Sequence, residues 1–357
     1  MTNALERELI ARITASGPLS IAEYMTECLL HPEHGYYTTA TPFGADGDFI
    51  TAPEVSQMFG ELVGLAIAQC WINQGRPANA WLVELGPGRG TLMSDMLRVL
   101  EKVPGALGAL RPCLLEASPR LRNTQAQALE GASPKWISAI GDLPADPIFL
   151  VANEFFDALP VRQFERGELG WHERQIGLVD GQLALGRSPD TDVPALRHRK
   201  ADTNIGQIVE ICDSAITVTL AIASLIAESG GAALFIDYGG WHSLGDTFQA
   251  LRGHHPVDPL SFPGTADLTA HVDFEPIAMA AMQAGLDVSE LTPQGVFLER
   301  LGIFQRAQSL ASGMSGPALE QHIQAHRRLT HPEEMGTLFK CLALTPKGTR
   351  PFPGTTA

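Results

Sequence analysis

Apolar positions in this chain recur at two spacings, and the switches between them set out its elements. Leu5, Leu9 and Ile13 mark an amphipathic helix stopped by Gly17-Pro18. Ser20 to Glu23 has the form of a capping box and should start a second helix that Pro32 ends. Thr51 to Glu54 repeats that spacing ahead of a strong stripe (Met58, Phe59, Leu62, Val63, Ala66, Ile67, Cys70 and Trp71), expected as a core helix. From Trp81 onward, short apolar runs at 81–85, 111–118, 136–140, 148–152 and 232–240 read as strands, with helices at 92–100, 121–129 and 216–226 between them. A helix at 275–285, a strand at 287–291, helices at 297–310 and 317–329 and a last strand at 339–344 complete the series. This alternation specifies an α/β fold with a doubly wound, mostly parallel sheet. Residues 161–186 instead alternate with period two around Asp180-Gly181, as antiparallel hairpins do. Residues 187–205 look loop-like, 241–274 irregular, and the Pro-Gly-rich tail should fray.

Four segments follow: a helical N-terminal cap and lid (1–75), a nucleotide-binding half (76–160), an inserted β-hairpin subdomain (161–205), and the remainder of the α/β domain (206–350) with a substrate loop at 241–274. The inserted hairpins are a candidate surface for a homodimer or a substrate. Composition narrows the functions. Among 357 residues, 45% hydrophobic and 18% charged is ordinary globular composition, and the net charge of −15 comes with no basic cluster dense enough for nucleic acid. Arg197 to Lys200, the densest basic run, reads as a solvated loop. Five cysteines stand singly with no Cys-x-x-Cys, which argues against zinc and disulfides and for a reducing compartment. No apolar stretch approaches the ~20 residues of a membrane span. Glu6 and Glu8 near the start disfavour a signal or transit peptide, so a soluble, cytoplasmic bacterial protein is expected.

The candidate chemistry gathers at the ends of the expected strands. Gly86, Gly88 and Gly90 follow the first strand directly and open its helix, which suits a ligand that approaches the backbone closely. A dinucleotide fingerprint would place its third glycine at Thr91, and no Gly-Lys-Ser/Thr is present, so a nicotinamide enzyme is disfavoured and a P-loop excluded. Glu84, two residues before the loop, would repel phosphate but suits the ammonium of an amino-acid-like ligand. Glu-x-Gly-x-Gly-x-Gly is similar to motif I of the class I S-adenosylmethionine methyltransferases. Glu116 closes the second strand, where an acid takes ribose hydroxyls or simply faces solvent. Asp142 follows the third strand, either as an adenine-binding acid beside Leu143 or as a turn former. Asn153 and Glu154 end the fourth strand, with Asp157 one turn on, either orienting an acceptor amine or guanidinium or capping a helix start. His254, His255, His271 and Asp273 match no zinc spacing, and no metal is expected.

Tyr24 to Tyr37, Gly47 to Glu54, Glu84 to Gly90, Asn153 to Pro160, Asp267 to Phe274 and Glu334 to Lys340 resemble, in order, successive blocks of the MidA-like methyltransferase family. That family includes the mitochondrial arginine methyltransferase that assists assembly of respiratory complex I. The resemblance implies a class I methyltransferase sheet of seven strands, S-adenosylmethionine bound at Glu84, Gly86, Pro87, Gly88, Gly90 and Thr91, and an arginine acceptor in a partner protein. Glu116, Asp142, Leu143 and Asn153 complete the expected cofactor set. Glu154 and Asp157 are the catalytic candidates, and Phe49, Thr51, His271 and Asp273 the substrate-side candidates. The rival reading is a non-catalytic assembly or interaction factor.

Overall fold

The helix starts follow their side chains. Ser20 Oγ accepts the N–H of Glu23 at 3.2 Å while Glu23 accepts the Ser20 N–H at 2.9 Å, the expected capping box of helix Ile21–Leu30. Asn3 and Glu6 form a second box that opens helix Ala4–Ser16. The computed structural model describes residues 3–39 and 50–356. At Thr51 the expectation fails: its side chain makes no cap bond, and a short helix Ala52–Val55 gives way to a new start at Ser56, which caps the long helix Gln57–Asn73. Glu54, the would-be third member of that box, turns to Thr91 instead, whose Oγ1 donates to it at 2.6 Å.

The chain divides into two units. One comprises Ile50–Phe156, Ile216–Trp241 and Phe274–Ala357. Its main sheet is built from strands numbered here along the chain: β1 (Ala80–Leu85), β2 (Leu110–Leu115), β3 (Lys135–Ile137), β4 (Ile148–Asn153), β5 (Gly231–Gly240), β6 (Leu286–Val288) and β7 (Phe339–Pro346). They run in the order β3-β2-β1-β4-β5-β7-β6. The pairs from β3 to β5 are parallel, and β7 is antiparallel to both β5 and β6. Every residue of β4 is buried, which accounts for its unbroken apolar run. The strand order reverses between β2 and β4, at β1, so the crevice beyond the carboxyl ends of β1 and β4 is where such a sheet binds its ligand. Gly60 and Gly64 let helix Gln57–Asn73 lie against helix Thr91–Leu100: a Cβ on either would come within 3 Å of Asp95 or Met96.

β5 begins at Gly231, with φ 107° and the position of a Cβ only 1.9 Å from Ile148 O. Gly231→Ala therefore combines a strained backbone with a clash against a buried strand, and is expected to cost about 3 kcal/mol or more. Urea unfolding measures this, and a variant as stable as the parent would contradict the close approach.

The other unit comprises Met1–Phe49, Asp157–Ala215 and His242–Asp273. Its hairpins are as the period-two pattern requires, Arg162–Arg166, Trp171–Val179 and Gln182–Arg187, all antiparallel. Leu19–Ser20 and Ile208–Ile211 add to them, two short strands with too few residues for alternation to show. Leu5, Leu9, Tyr24, Met25 and Ile176 share the core of this unit.

Other expectations give way to packing. The segment 241–274 is not structureless: Gln249–Arg252 pairs with His255–Val257 and Asp267–Thr269. The helix expected over 297–310 breaks at Gly302, φ 89°, into Gln294–Arg300 and Ile303–Ala311. The tail does not fray, because Phe352 is buried in the core and Glu290 N–H donates to Thr356 O at 3.0 Å. Within the basic run, Arg199 is 5% exposed, bonded to Asp202 and to Ser243 O. No helix among the described residues is long and apolar enough to cross a membrane.

Candidate active site

After β1 the chain must turn sharply into helix Thr91–Leu100, and the three loop glycines do this with φ of 61° at Gly86, 52° at Gly88 and 85° at Gly90. Gly90 N–H donates to Pro87 O at 2.7 Å and closes the turn. Gly90 also caps the helix without a side-chain hydrogen bond. A Cβ on Gly86 would meet Phe155 Cδ2 at 3.1 Å, so the aromatic ring after β4 rests on the glycine loop.

Glu84 is 3% exposed, and its Oε2 has no hydrogen-bond partner. Burial pushes its carboxyl up to about 8, against a backbone hydrogen bond from Met93 and with help from the charge of Asp95. Asp95 is itself pushed up to about 6 by burial, opposed by Arg98 and reinforced by Glu61 and Glu54. A buried carboxyl with one oxygen open is costly to ionise unless a cation faces it. The open oxygen of Glu84 and the glycine cradle beside it fit the ammonium and chain of the amino-acid part of S-adenosylmethionine.

Glu116, beyond β2, is buried, and burial raises its carboxyl while the N–H of Ser118 (2.7 Å to Oε1) and Gln125 Nε2 (3.0 Å to Oε2) hold it down. Gln125 was missed in the sequence. Fully buried, it also donates to Gly88 O at 2.8 Å and accepts from Trp136 Nε1 at 2.9 Å. It thereby ties the glycine loop to the expected ribose acid. The available signal was register, since Leu121, Gln125 and Leu129 share a helix face and a glutamine there needs buried partners.

Asp142 is exposed in the 3-10 turn Ile140–Asp142, donating its N–H to Ala139 O at 3.0 Å, and Leu143 beside it is buried. Asn153 ends β4 with its Oδ1 buried and unpartnered and its Nδ2 donating to Glu154 Oε1 at 3.1 Å. Glu154 takes the left-handed conformation, φ 51°, and its Oε1 also accepts the N–H of Ala52 at 3.0 Å, next to Thr51. Glu84, the glycine loop, Glu116, Asn153, Glu154 and Thr51 thus all belong to the unit that holds the parallel sheet. Asp157, His271 and Asp273 belong to the other unit. There Asp157 O accepts the N–H of Ala270 at 2.9 Å and His271 N–H donates to Thr247 Oγ1 at 2.8 Å. Phe49 lies outside the described residues. Among the described residues, no group of three or more His, Cys, Asp or Glu is gathered as metal ligands would be.

Residues 62–292 match the model of the S-adenosyl-L-methionine-dependent methyltransferase family Methyltransf_28. The chain belongs to this family. Protein arginine methyltransferase NDUFAF7, mitochondrial, of Danio rerio is 37% identical over 367 residues, covering 95% of this chain and 86% of that protein. The Homo sapiens protein of the same name is 35% identical over 95% of this chain and 83% of its own length. A superfamily member from Burkholderia thailandensis, crystallised with S-adenosyl-homocysteine, is 29% identical with a TM-score of 0.86, covering 98% of this chain and 94% of that one. This chain is an S-adenosylmethionine-dependent methyltransferase of α/β fold.

In this methyltransferase Gln125→Leu leaves Gly88 O, Glu116 Oε2 and Trp136 Nε1 without their buried partner. The expected result is about tenfold weaker cofactor binding and a stability loss of roughly 2–3 kcal/mol. Calorimetry and thermal unfolding read the two effects. Unchanged affinity would separate Gln125 from the cofactor site.

Proposed function

We propose that this methyltransferase methylates an arginine guanidinium in a partner protein. The observation that carries the reading is similarity over nearly the full chain to proteins named protein arginine methyltransferases. The carboxylate of Glu154, beyond β4 and beside the glycine loop, supports it chemically.

The cofactor supplies a methyl group made electrophilic by its sulfonium. Glu84 receives its ammonium, the loop from Gly86 to Gly90 with Pro87 and Thr91 lies along its amino-acid part, and Glu116 takes the ribose. Asp142 and Leu143 take the adenine, and Asn153 closes the set. Glu154 accepts N–H bonds from the guanidinium, which is cationic at any physiological pH, and holds one nitrogen in line for transfer. A fixed carboxylate offsets the acceptor's charge and keeps water from competing for that nitrogen, which takes the methyl as its bond to the sulfonium sulfur breaks and gives up one proton to solvent. Asp157, Thr51, Phe49, His271 and Asp273 keep their proposed roles toward the acceptor.

The same reading takes the main sheet as the seven-stranded class I sheet, supported by its order around β1, with residues 1–75 as a helical cap and 161–205 as an inserted antiparallel subdomain. A complex I subunit is the proposed target, the cytoplasm of a bacterium the proposed compartment, and the hairpins a proposed dimer surface. The test is to incubate the protein with methyl-labelled S-adenosylmethionine and a cell lysate, hydrolyse the labelled proteins, and chromatograph the amino acids. Label in methylated arginine is expected. Cofactor binding without any label transfer would move the weight to the non-catalytic assembly factor.

A further inference from the structure

Asp237 is fully buried near the end of β5, and its carboxylate accepts from the chain just beyond the neighbouring strand β4. The parallel ladder between β4 and β5 ends at Asn153 opposite Ile236. One residue further, Glu154 N–H still reaches Ile236 O at 2.9 Å, but Glu154 is left-handed and the chain leaves the sheet. The next two N–H groups, of Phe155 and Phe156, would lose their partners at that point. Asp237 Oδ2 takes both, at 3.1 and 2.9 Å, while its Oδ1 accepts the Tyr238 N–H at 2.9 Å. A carboxylate accepting several backbone N–H groups is a strong, fixed clamp.

The clamp holds a conformation that would not hold itself. A glutamate at positive φ is strained, and such strain persists only where the surroundings determine it. Here the surroundings are the carboxylate of Asp237, the ring of Phe156 tilted on Phe235 with centroids 4.8 Å apart, and the ring of Phe155 on Gly86. With these in place, the Glu154 carboxylate meets Ala52 N–H and Asn153 Nδ2 rather than following the strand direction.

We propose that Asp237 is a positioning residue for methyl transfer: it fixes the Asn153–Phe156 turn and so sets where the Glu154 carboxylate stands, without touching cofactor or acceptor. This rests on the reading of Glu154 as the group that orients the arginine. The structural alternative is that Asp237 only stabilises the sheet, in which case its loss would act on folding and on cofactor binding alike.

The test uses Asp237→Asn in the full chain, with the parent, Glu154→Gln and the double variant measured beside it. The rate of labelled-methyl transfer into arginine of lysate proteins at saturating S-adenosylmethionine is expected to fall about thirtyfold or more, while cofactor affinity by calorimetry stays within about threefold. Amide exchange at Phe155 and Phe156 should quicken by at least about tenfold, with Leu234 and Phe235 in β5 unchanged. Because Asp237 acts through Glu154, the double variant should be no slower than Glu154→Gln alone. Full transfer rate in Asp237→Asn, a parallel loss of rate and affinity, or losses that multiply in the double variant would each overturn the positioning role. A parent protein that labels no arginine overturns the reading beneath it, and the positioning role falls with it. A parent that labels arginine, beside an unaffected Asp237→Asn, leaves the reading standing and removes only the positioning role.

Discussion

Glu84→Gln should weaken S-adenosylmethionine binding by about ten- to a hundredfold, the worth of one charge-assisted hydrogen bond in a buried site. The same substitution should flatten the pH dependence of binding. In the cofactor-free protein burial holds the Glu84 carboxyl at about 8, so at neutral pH it is mostly protonated. A cofactor ammonium binds the ionised form, and binding must therefore expel a proton. Affinity should climb by up to about tenfold per pH unit from pH 6 toward about 7.5, then turn over as the free cofactor's own α-ammonium, with an ordinary value of about 7.7–8, loses its proton. Calorimetry in two buffers of different ionisation enthalpy reads the released proton directly. Stability follows with the opposite sign. Because the folded carboxyl sits above its ordinary 4.5, its contribution to the cofactor-free protein is complete below that value. It is lost as pH rises toward 8, by up to about 1.4 kcal/mol per unit. Saturating cofactor should restore what is lost. An unchanged pH slope in Glu84→Gln would remove Glu84 from the site.

Glu154→Gln is expected to lower the transfer rate by about a hundred- to a thousandfold while cofactor affinity stays within about threefold. The carboxamide oxygen still accepts the Ala52 N–H, so the turn should survive, and only the charge facing the guanidinium is removed. Single-turnover rates at saturating cofactor, set beside calorimetric affinities, make the separation. Equal loss of both would mean that Glu154 supports the cofactor loop, not the acceptor.

The parts of this protein that were legible in the sequence are those whose physics is local. The capping box at Ser20, the glycines with positive φ and the apolar run Ile148–Ala152 of β4 each depend on a few neighbouring residues. Thr51 had the same local pattern as Ser20 and failed, because Glu54 found a better partner thirty-seven residues away in Thr91. Gln125 and Asp237 were missed for that reason. Each bonds backbone groups that are distant in sequence, and nothing in the flanking residues reports it. The His-Pro-Gly-Asp composition of 241–274 hid a three-stranded sheet whose strands have only three or four residues each. Burial likewise overrode composition at Phe352 and Arg199, which sit inside segments that look like solvent-facing chain.

The strand order has a consequence for how the chain is made. β7 follows β6 in the chain, yet it pairs between β5 and β6 rather than at the rim. Until Phe339–Pro346 has left the ribosome, β6 has no place to dock and β5 lacks its pairing with β7 over Ala233–Tyr238. The other unit is also late, because its third segment ends only at Asp273. This chain should therefore lean on chaperones while it is being translated, and a message truncated before β7 should yield aggregate rather than a smaller working enzyme.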